Sequence, residues 1–291
     1  MINDNQTYKV YFAEGLKSYG GVFYTILSAF NREGVPMDYL PLIKSPRHIW
    51  ARDYMPVQLS EERFLKYTYK PDYLKGAPEW IPNYRGMARA LSLKCKSTPI
   101  ILDGGNIVRY GERVIMTDKV FLENPHFSRM ELTLKLEDLL EATVTFIPWD
   151  RYEPYGHADG MVRFIDRTTV LLNCYSNVDP GLRKRLLDAL SGRFAVEELH
   201  FSPARPSRMS WAYLNFLQTC LHIFVPGLGI REDEEAIEQI KSFYPGYKVV
   251  PIPGCQELAK EGGALNCVSW NVWEKVQDGV PDDLPAPQSS H

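Results

Sequence analysis

Several things are missing from this chain, and each absence narrows what it can be. No apolar run approaches the about 18 residues that a membrane span needs. The opening Met1-Ile2-Asn3-Asp4-Asn5-Gln6-Thr7 has neither a basic nor an apolar segment, so no signal peptide is expected. Cysteine is sparse: Cys95, Cys174, Cys220, Cys255 and Cys267 are odd in number, widely spaced and never Cys-x-x-Cys. That pattern argues against a disulfide framework or a structural zinc site, and for a reducing, cytoplasmic setting. Basic stripes are absent too. Lys and Arg total 33 against 36 Asp and Glu, a net charge of −3, which speaks against nucleic acid or an anionic membrane as partner. The mild acidity suits a cationic small substrate. Low-complexity sequence and linkers are lacking until PDDLPAPQSSH, so one domain is expected over 1–280 and a flexible tail over 281–291.

What is present is a rhythm. Five short segments, each expected to open a strand, carry one polar residue apiece. They are Trp50-Ala51-Arg52-Asp53, Leu102-Asp103-Gly104-Gly105-Asn106, Gly156-His157-Ala158-Asp159-Gly160, Tyr213-Leu214-Asn215-Phe216 and Gly262-Gly263-Ala264-Leu265-Asn266-Cys267. The steps Asp53 to Asp103, to His157, to Asn215 and to Cys267 are 50, 54, 58 and 52 residues. Such an interval marks a repeated supersecondary unit. The elements between agree: strand, turn, strand, helix, strand. In the clearest copy, Met161–Ile165 and Thr169–Cys174 are strands, and Asp179-Pro180 caps a helix with Leu182, Leu186, Leu187 and Leu190 on one face. Another copy opens its helix with a Ser128/Glu131 capping box ahead of Leu132, Leu136, Leu139 and Leu140.

The fifth unit is split. Cys267–Val272 supplies its beginning, and the Tyr8–Phe12 strand, a helix near Val22 to Phe30 and Met37–Leu40 supply the rest. An open mixed sheet with helices on both faces fits the same element order. The spacing of the polar residues favours a closed ring, in which all five reach one pocket.

Each candidate has a bland reading beside the chemical one. A Cys between Asn266 and Val268 is more often a buried small hydrophobe, yet Gly262-Gly263 before it permits close approach of a ligand. His157 is flanked by glycine, and Asp159 two residues on faces the same side if the backbone is extended. Metal binding competes there, but no second histidine is near. Asp53 reads as an ion pair with Arg52 or, with Trp50 and Tyr54, as a slot for a planar cation. Asp103 reads as part of a turn ending in Asn106 or as the acceptor that orients His157. Asn215 either caps a strand or binds substrate.

Taken together, these segments strongly resemble the bacterial peptidyl-arginine deiminase and agmatine deiminase family, in order and over nearly the whole chain. The resemblance implies the α/β fivefold pseudo-symmetric propeller (pentein) of ββαβ units, the last shared between the termini. It implies Cys267 as nucleophile, His157 as general acid/base and Asp103 as the residue positioning that histidine. It further implies Asp53 and Asp159 as the carboxylates gripping a guanidinium; Trp50, Asn106 and Asn215, beside them in the same segments, are candidate substrate contacts. No metal or organic cofactor is implied. Related deiminases often have Glu at the place of Asp103 and His directly before the cysteine, where this chain has Asn266. The expected reaction converts peptidyl-arginine, arginine or agmatine, the last in putrescine biosynthesis, to a ureido product and ammonia. An amidinotransferase and a non-catalytic guanidine-binding protein are the alternatives, and assembly into a homo-oligomer is left open.

Overall fold

The computed structural model describes residues 1–153, 155–202 and 206–274; the expected tail and the end of the expected domain lie outside the described residues. β-branched and aromatic strands pair into five sheets of three. In each, the second strand lies in the middle, antiparallel to the first and parallel to the third. The sets are Val57–Gln58, Arg63–Thr68 and Lys94–Ile101; Val108–Tyr110, Arg113–Thr117 and Thr143–Ile147; Val162–Phe164, Thr169–Leu172 and Ala195–Glu198; and Leu217–Gln218, His222–Pro226 and Lys248–Ile252. A parallel pair needs a crossover, and in each unit a helix supplies it.

The fifth sheet joins the two ends of the chain. Lys9–Ala13 runs antiparallel to Ser269–Val272, with Val10 opposite Asn271, and parallel to Met37–Leu40. The architecture is therefore the α/β-propeller of five ββαβ units read from the spacing, with its last unit shared by the termini.

The crossover helices form where local signals place them. Ser128 accepts the N–H of Glu131, whose carboxylate takes the Ser128 N–H in return, and Arg129–Leu140 buries Leu132, Leu136 and Leu140. Asp179 accepts the Leu182 N–H at 2.8 Å ahead of Pro180–Leu190, which buries Leu182, Leu186 and Leu190. A four-residue spacing puts each trio on one stripe facing its sheet. Neighbouring units lock through side chains: Phe30, on the helix Gly20–Glu33, stacks on Phe224 of another sheet at 4.6 Å. Among the described residues no helix is long and apolar enough to cross a membrane.

One expectation needs correction. The five polar segments do not lie in strands but in turns just before the first strand of each sheet. Asp53 is in the helical turn Ala51–Tyr54, Asn106 ends the 3-10 turn Gly104–Asn106, and Cys267 precedes Ser269–Val272 in a turn. A residue inside a strand sends its side chain to a sheet face. A residue in the turn at a sheet's end is free of that alternation. Cys174 likewise lies past its strand, which ends at Leu172.

Candidate active site

Cys267 is carried by a turn that other segments hold shut. Its own N–H donates to Asn215 Oδ1 at 3.2 Å, and the Ala264 N–H donates to the same oxygen at 3.1 Å. The Arg52 N–H caps the Cys267 carbonyl at 3.0 Å. The thiol is buried and points to Asp159, with Sγ 3.7 Å from Oδ2. The same Asp159 oxygen accepts Asn266 Nδ2 at 2.6 Å. So Asn266, next to the cysteine in sequence, fixes the carboxylate next to it in space.

His157 stands between two carboxylates. Its Nε2 lies 2.9 Å from Asp103 Oδ2, and its Nδ1 lies 3.7 Å from Asp53 Oδ1. Asp53 Oδ1 also accepts the Gly105 N–H at 3.1 Å. Tyr73 reaches into this group, donating to Asp103 Oδ2 at 3.3 Å. Gly105 is required by the close approach: a Cβ there would sit 2.7 Å from His157 Nδ1 and 2.8 Å from Asp53 Oδ1. The extended backbone expected between His157 and Asp159 is not formed: Asp159 is in a turn, its N–H bonded to the Gly105 carbonyl at 3.1 Å, and its side chain meets Asn266 and Cys267 while still facing the same cavity as His157.

Two open cavities meet at these residues. One, of about 590 Å³, reaches His157, Asp159 and Cys267 past Tyr155, Trp211 and Cys174. The other, of about 570 Å³, reaches Asp53, His157 and Cys267 past Trp50, Tyr69 and Tyr73. The ring of Trp50 packs on Gly263, where a Cβ would lie 2.0 Å from it. Asn106 and Asn215 line neither cavity. Asn106 Oδ1 is bonded to the Thr117 N–H at 2.8 Å, and Asn215 is wholly buried against the cysteine turn. In both, the side-chain oxygen holds backbone N–H groups.

Electrostatics follow from three carboxylates in a dry place. Burial raises the Asp53 carboxyl; His157 counters it, and the charges of Asp103 and Asp159 push it further up. Burial disfavours charge on His157, but Asp53 and the bond to Asp103 outweigh it and lift the imidazole to about 10. The Cys267 thiol is pushed well above its ordinary value by burial, then by Asp159 and Asp53. Folding therefore favours an imidazolium and a protonated thiol beside the carboxyl groups of Asp53, Asp103 and Asp159.

A family described as Porphyromonas-type peptidyl-arginine deiminase matches residues 36–272. The chain belongs to that family. It is 28% identical over 209 residues to the agmatine deiminase of Pseudomonas savastanoi pv. phaseolicola, an alignment covering 58% of this chain and 56% of that one. The chain thus spans little more than half the length of the curated relatives it matches. Among solved structures, agmatine deiminase of Enterococcus faecalis shares the fold at a TM-score of 0.70 and 20% identity, over 95% of this chain and 96% of that one. The agmatine deiminase of C. jejuni does so at 0.72 and 16%, over 95% and 96%.

In this member of the deiminase family, further residues that no sequence motif announced shape the site. Glu153 accepts the N–H groups of Tyr155 and Gly156 at 2.9 and 2.6 Å, fixing the approach to His157; burial raises its carboxyl. Lys119, also buried, donates to the Tyr155 carbonyl at 2.7 Å and pairs with Asp72 at 2.8 Å. Asp72 adjoins Tyr73, so this lysine ties the segment bearing His157 to the one bearing Tyr73. Glu153 sits in a turn, Lys119 opens the short helix Lys119–Glu123 and Asp72 the 3-10 turn Asp72–Leu74, all too short for a periodicity to point to them.

Proposed function

We propose that this chain hydrolyses a guanidino group to a ureido group and ammonia, with Cys267 as nucleophile and His157 as acid and base. The observation that carries this reading is the convergence of Cys267, His157, Asp53 and Asp159, from three separate repeats, on one pair of joined cavities. A guanidinium lodged between Asp53 and Asp159 donates its N–H groups to their carboxylate oxygens and stays planar, charged and electrophilic. Its arrival also offsets the negative field that keeps the thiol protonated, so the thiolate forms when substrate is present.

As substrate binds, the thiol proton passes to solvent through the open cavities, and the thiolate adds to the guanidinium carbon. Imidazolium His157 gives its ring proton to the departing nitrogen, and ammonia is released, leaving a covalent thiouronium. The now neutral His157 takes a proton from water, the resulting hydroxide attacks the same carbon, and the carbon–sulfur bond breaks. The hydroxyl proton of the adduct goes to the departing sulfur, so the products are the urea derivative and the restored thiol, with His157 again an imidazolium. Asp103, through its bond to Nε2, positions the ring. The aromatic walls of Trp50, Tyr69 and Tyr73 suit the stem of a cationic substrate, whether agmatine, arginine or an arginyl peptide. Scattered free cysteines suit a cytoplasmic setting.

The test is incubation with agmatine, arginine and an arginyl peptide, scoring ammonia and ureido product. Wild type is expected to release both in equal amounts from at least one of them, and Cys267→Ala none, with its unfolding curve unchanged. Turnover retained by Cys267→Ala, or none by wild type on any of the three, overturns the reading. Transfer of the amidino group to an added amine in place of water would instead make it an amidinotransferase.

A further inference from the structure

Arg52 adjoins Asp53 in sequence but turns away from it, into a second polar cluster. There it meets Arg109 and Arg163, from the first strands of two other units. The three side chains are 8, 6 and 6% exposed. They share one carboxylate, Asp4, which lies 3.4 Å from Arg52, 3.3 Å from Arg109 and 3.5 Å from Arg163. Among the described residues no other carboxylate is within ion-pair reach of them. Burial would raise the Asp4 carboxyl, but the three guanidiniums hold it down at about 2.

The charges do not balance. Three cations against one anion leave two positive charges in a space poor in water, which is costly unless something compensates them. Hydrogen bonding does not balance either. Each guanidinium carries about five N–H donors. Arg52 spends some on the Asn266 carbonyl at 3.4 Å and on Asn271 Oδ1, and Arg163 lies 4.4 Å over the Phe216 ring. Arg109 Nε is buried with no partner. The contacts to Asp4 exceed the roughly 2.7–2.9 Å of a tight charge-assisted bond, so the arginines are not drawn fully onto it.

These three arginines, with Asp4, Gln218 and Asn266, line a cavity of about 10 Å³, space for one water-sized species. We propose that this cavity binds a single small halide, chloride-sized, held by Arg52, Arg109 and Arg163. A water molecule would satisfy donors but leave the charge, and a tetrahedral oxyanion is too large for the space. Because the Arg52 guanidinium also donates to the Asn266 carbonyl, the halide steadies the turn that bears the cysteine.

The experiment is thermal unfolding of the full chain at constant ionic strength, exchanging sodium gluconate for chloride, bromide or sulfate, together with diffraction from crystals soaked in bromide. Chloride and bromide are expected to raise Tm by about 2–4 °C at about 100 mM, with saturation. Arg109→Gln is expected to lose that step. The bromide anomalous peak is expected beside Arg109 Nε. Equal Tm in gluconate and chloride, the same rise in Arg109→Gln, or a rise with sulfate alone overturns the proposal. If Arg109→Gln does not fold, the wild-type bromide peak decides: no peak at this cluster is a refutation.

Discussion

The N–H of Cys267 is bonded to the side-chain oxygen of Asn215, a residue 52 positions earlier and one repeat back. That oxygen also takes the Ala264 N–H, so a single carboxamide closes the turn that presents the thiol. Asn215 is wholly buried, and its loss leaves two buried donors without an acceptor. Asn215→Ala is expected to lower stability by about 2–4 kcal/mol, one desolvation penalty for each N–H. Urea unfolding measures it. A change below about 1 kcal/mol would mean that the turn holds itself.

Gly105 separates the imidazole from a carboxylate by main chain alone. In Gly105→Ala the new methyl meets His157 Nδ1 at 2.7 Å and Asp53 Oδ1 at 2.8 Å, so the ring or the carboxylate must shift by several tenths of an ångström. Misplacement on that scale is expected to reduce kcat by roughly 100-fold. Gly111, with no atom within 4 Å of a built Cβ, has a φ of 58° and is a poor control. Gly192, also unobstructed and without a left-handed φ, is the better one: Gly192→Ala is expected to keep kcat within about twofold. Steady-state kinetics on both variants check the pair.

The sequence disclosed most where the physics is local or repeated. Ser128/Glu131 and Asp179-Pro180 announce helix starts because a cap is made within four residues, and the leucine spacings mark buried faces because a helix turns at a fixed angle. The five polar residues were legible because the repeat places one at the same corner of each unit. Their contacts were less so. Asp159 reaches Cys267 through a turn and not an extended backbone, the Ala158 carbonyl accepting the Met161 and Val162 N–H groups. That the Asn106 and Asn215 oxygens hold backbone N–H groups is also something no motif discloses. Asp4 gave no sign at all, since its partners are 48, 105 and, for Arg163, even more positions away.

The thiol's surroundings set its reactivity before substrate arrives. With burial, Asp159 and Asp53 all raising it, Cys267 is expected to remain protonated through neutral pH. Alkylation by iodoacetamide should therefore accelerate roughly tenfold per pH unit between about pH 7 and 9, with no plateau. Mass spectrometry of the peptide carrying Cys267 separates it from Cys174, which lines the larger cavity. A plateau below about pH 7 would show a preformed thiolate and remove the need for substrate to generate it.

His157 links the site's charge to stability. Its folded imidazole titrates at about 10 against 6.5 in the unfolded chain, so the folded state binds its proton more tightly. That contribution is whole below pH 6.5 and is lost as pH climbs towards about 10. The stability of wild type relative to His157→Asn should accordingly be greatest at mildly acidic pH and shrink steadily on the alkaline side. Urea midpoints of both proteins at a series of pH values test this. A difference that grows with pH would place a neutral imidazole in the folded site.

Asp4 obeys the opposite sign. Its carboxyl is held at about 2 folded against 3.8 unfolded, so the stability it contributes is present above pH 3.8 and is lost as pH falls through about 2. The difference of pKa corresponds to about 2 kcal/mol at neutral pH. Asp4→Asn removes that and also leaves three buried guanidiniums facing one another, so its cost at pH 7 should be at least this large. The penalty should be all but absent near pH 2, where wild type is itself becoming protonated. Comparing the two proteins by urea unfolding at pH 7 and at the lowest pH where both still fold separates a charge effect from a packing effect. Asparagine nearly matches aspartate in shape, so a penalty that stays constant between the two conditions would assign the loss to hydrogen-bond geometry and not to the arginines' charge.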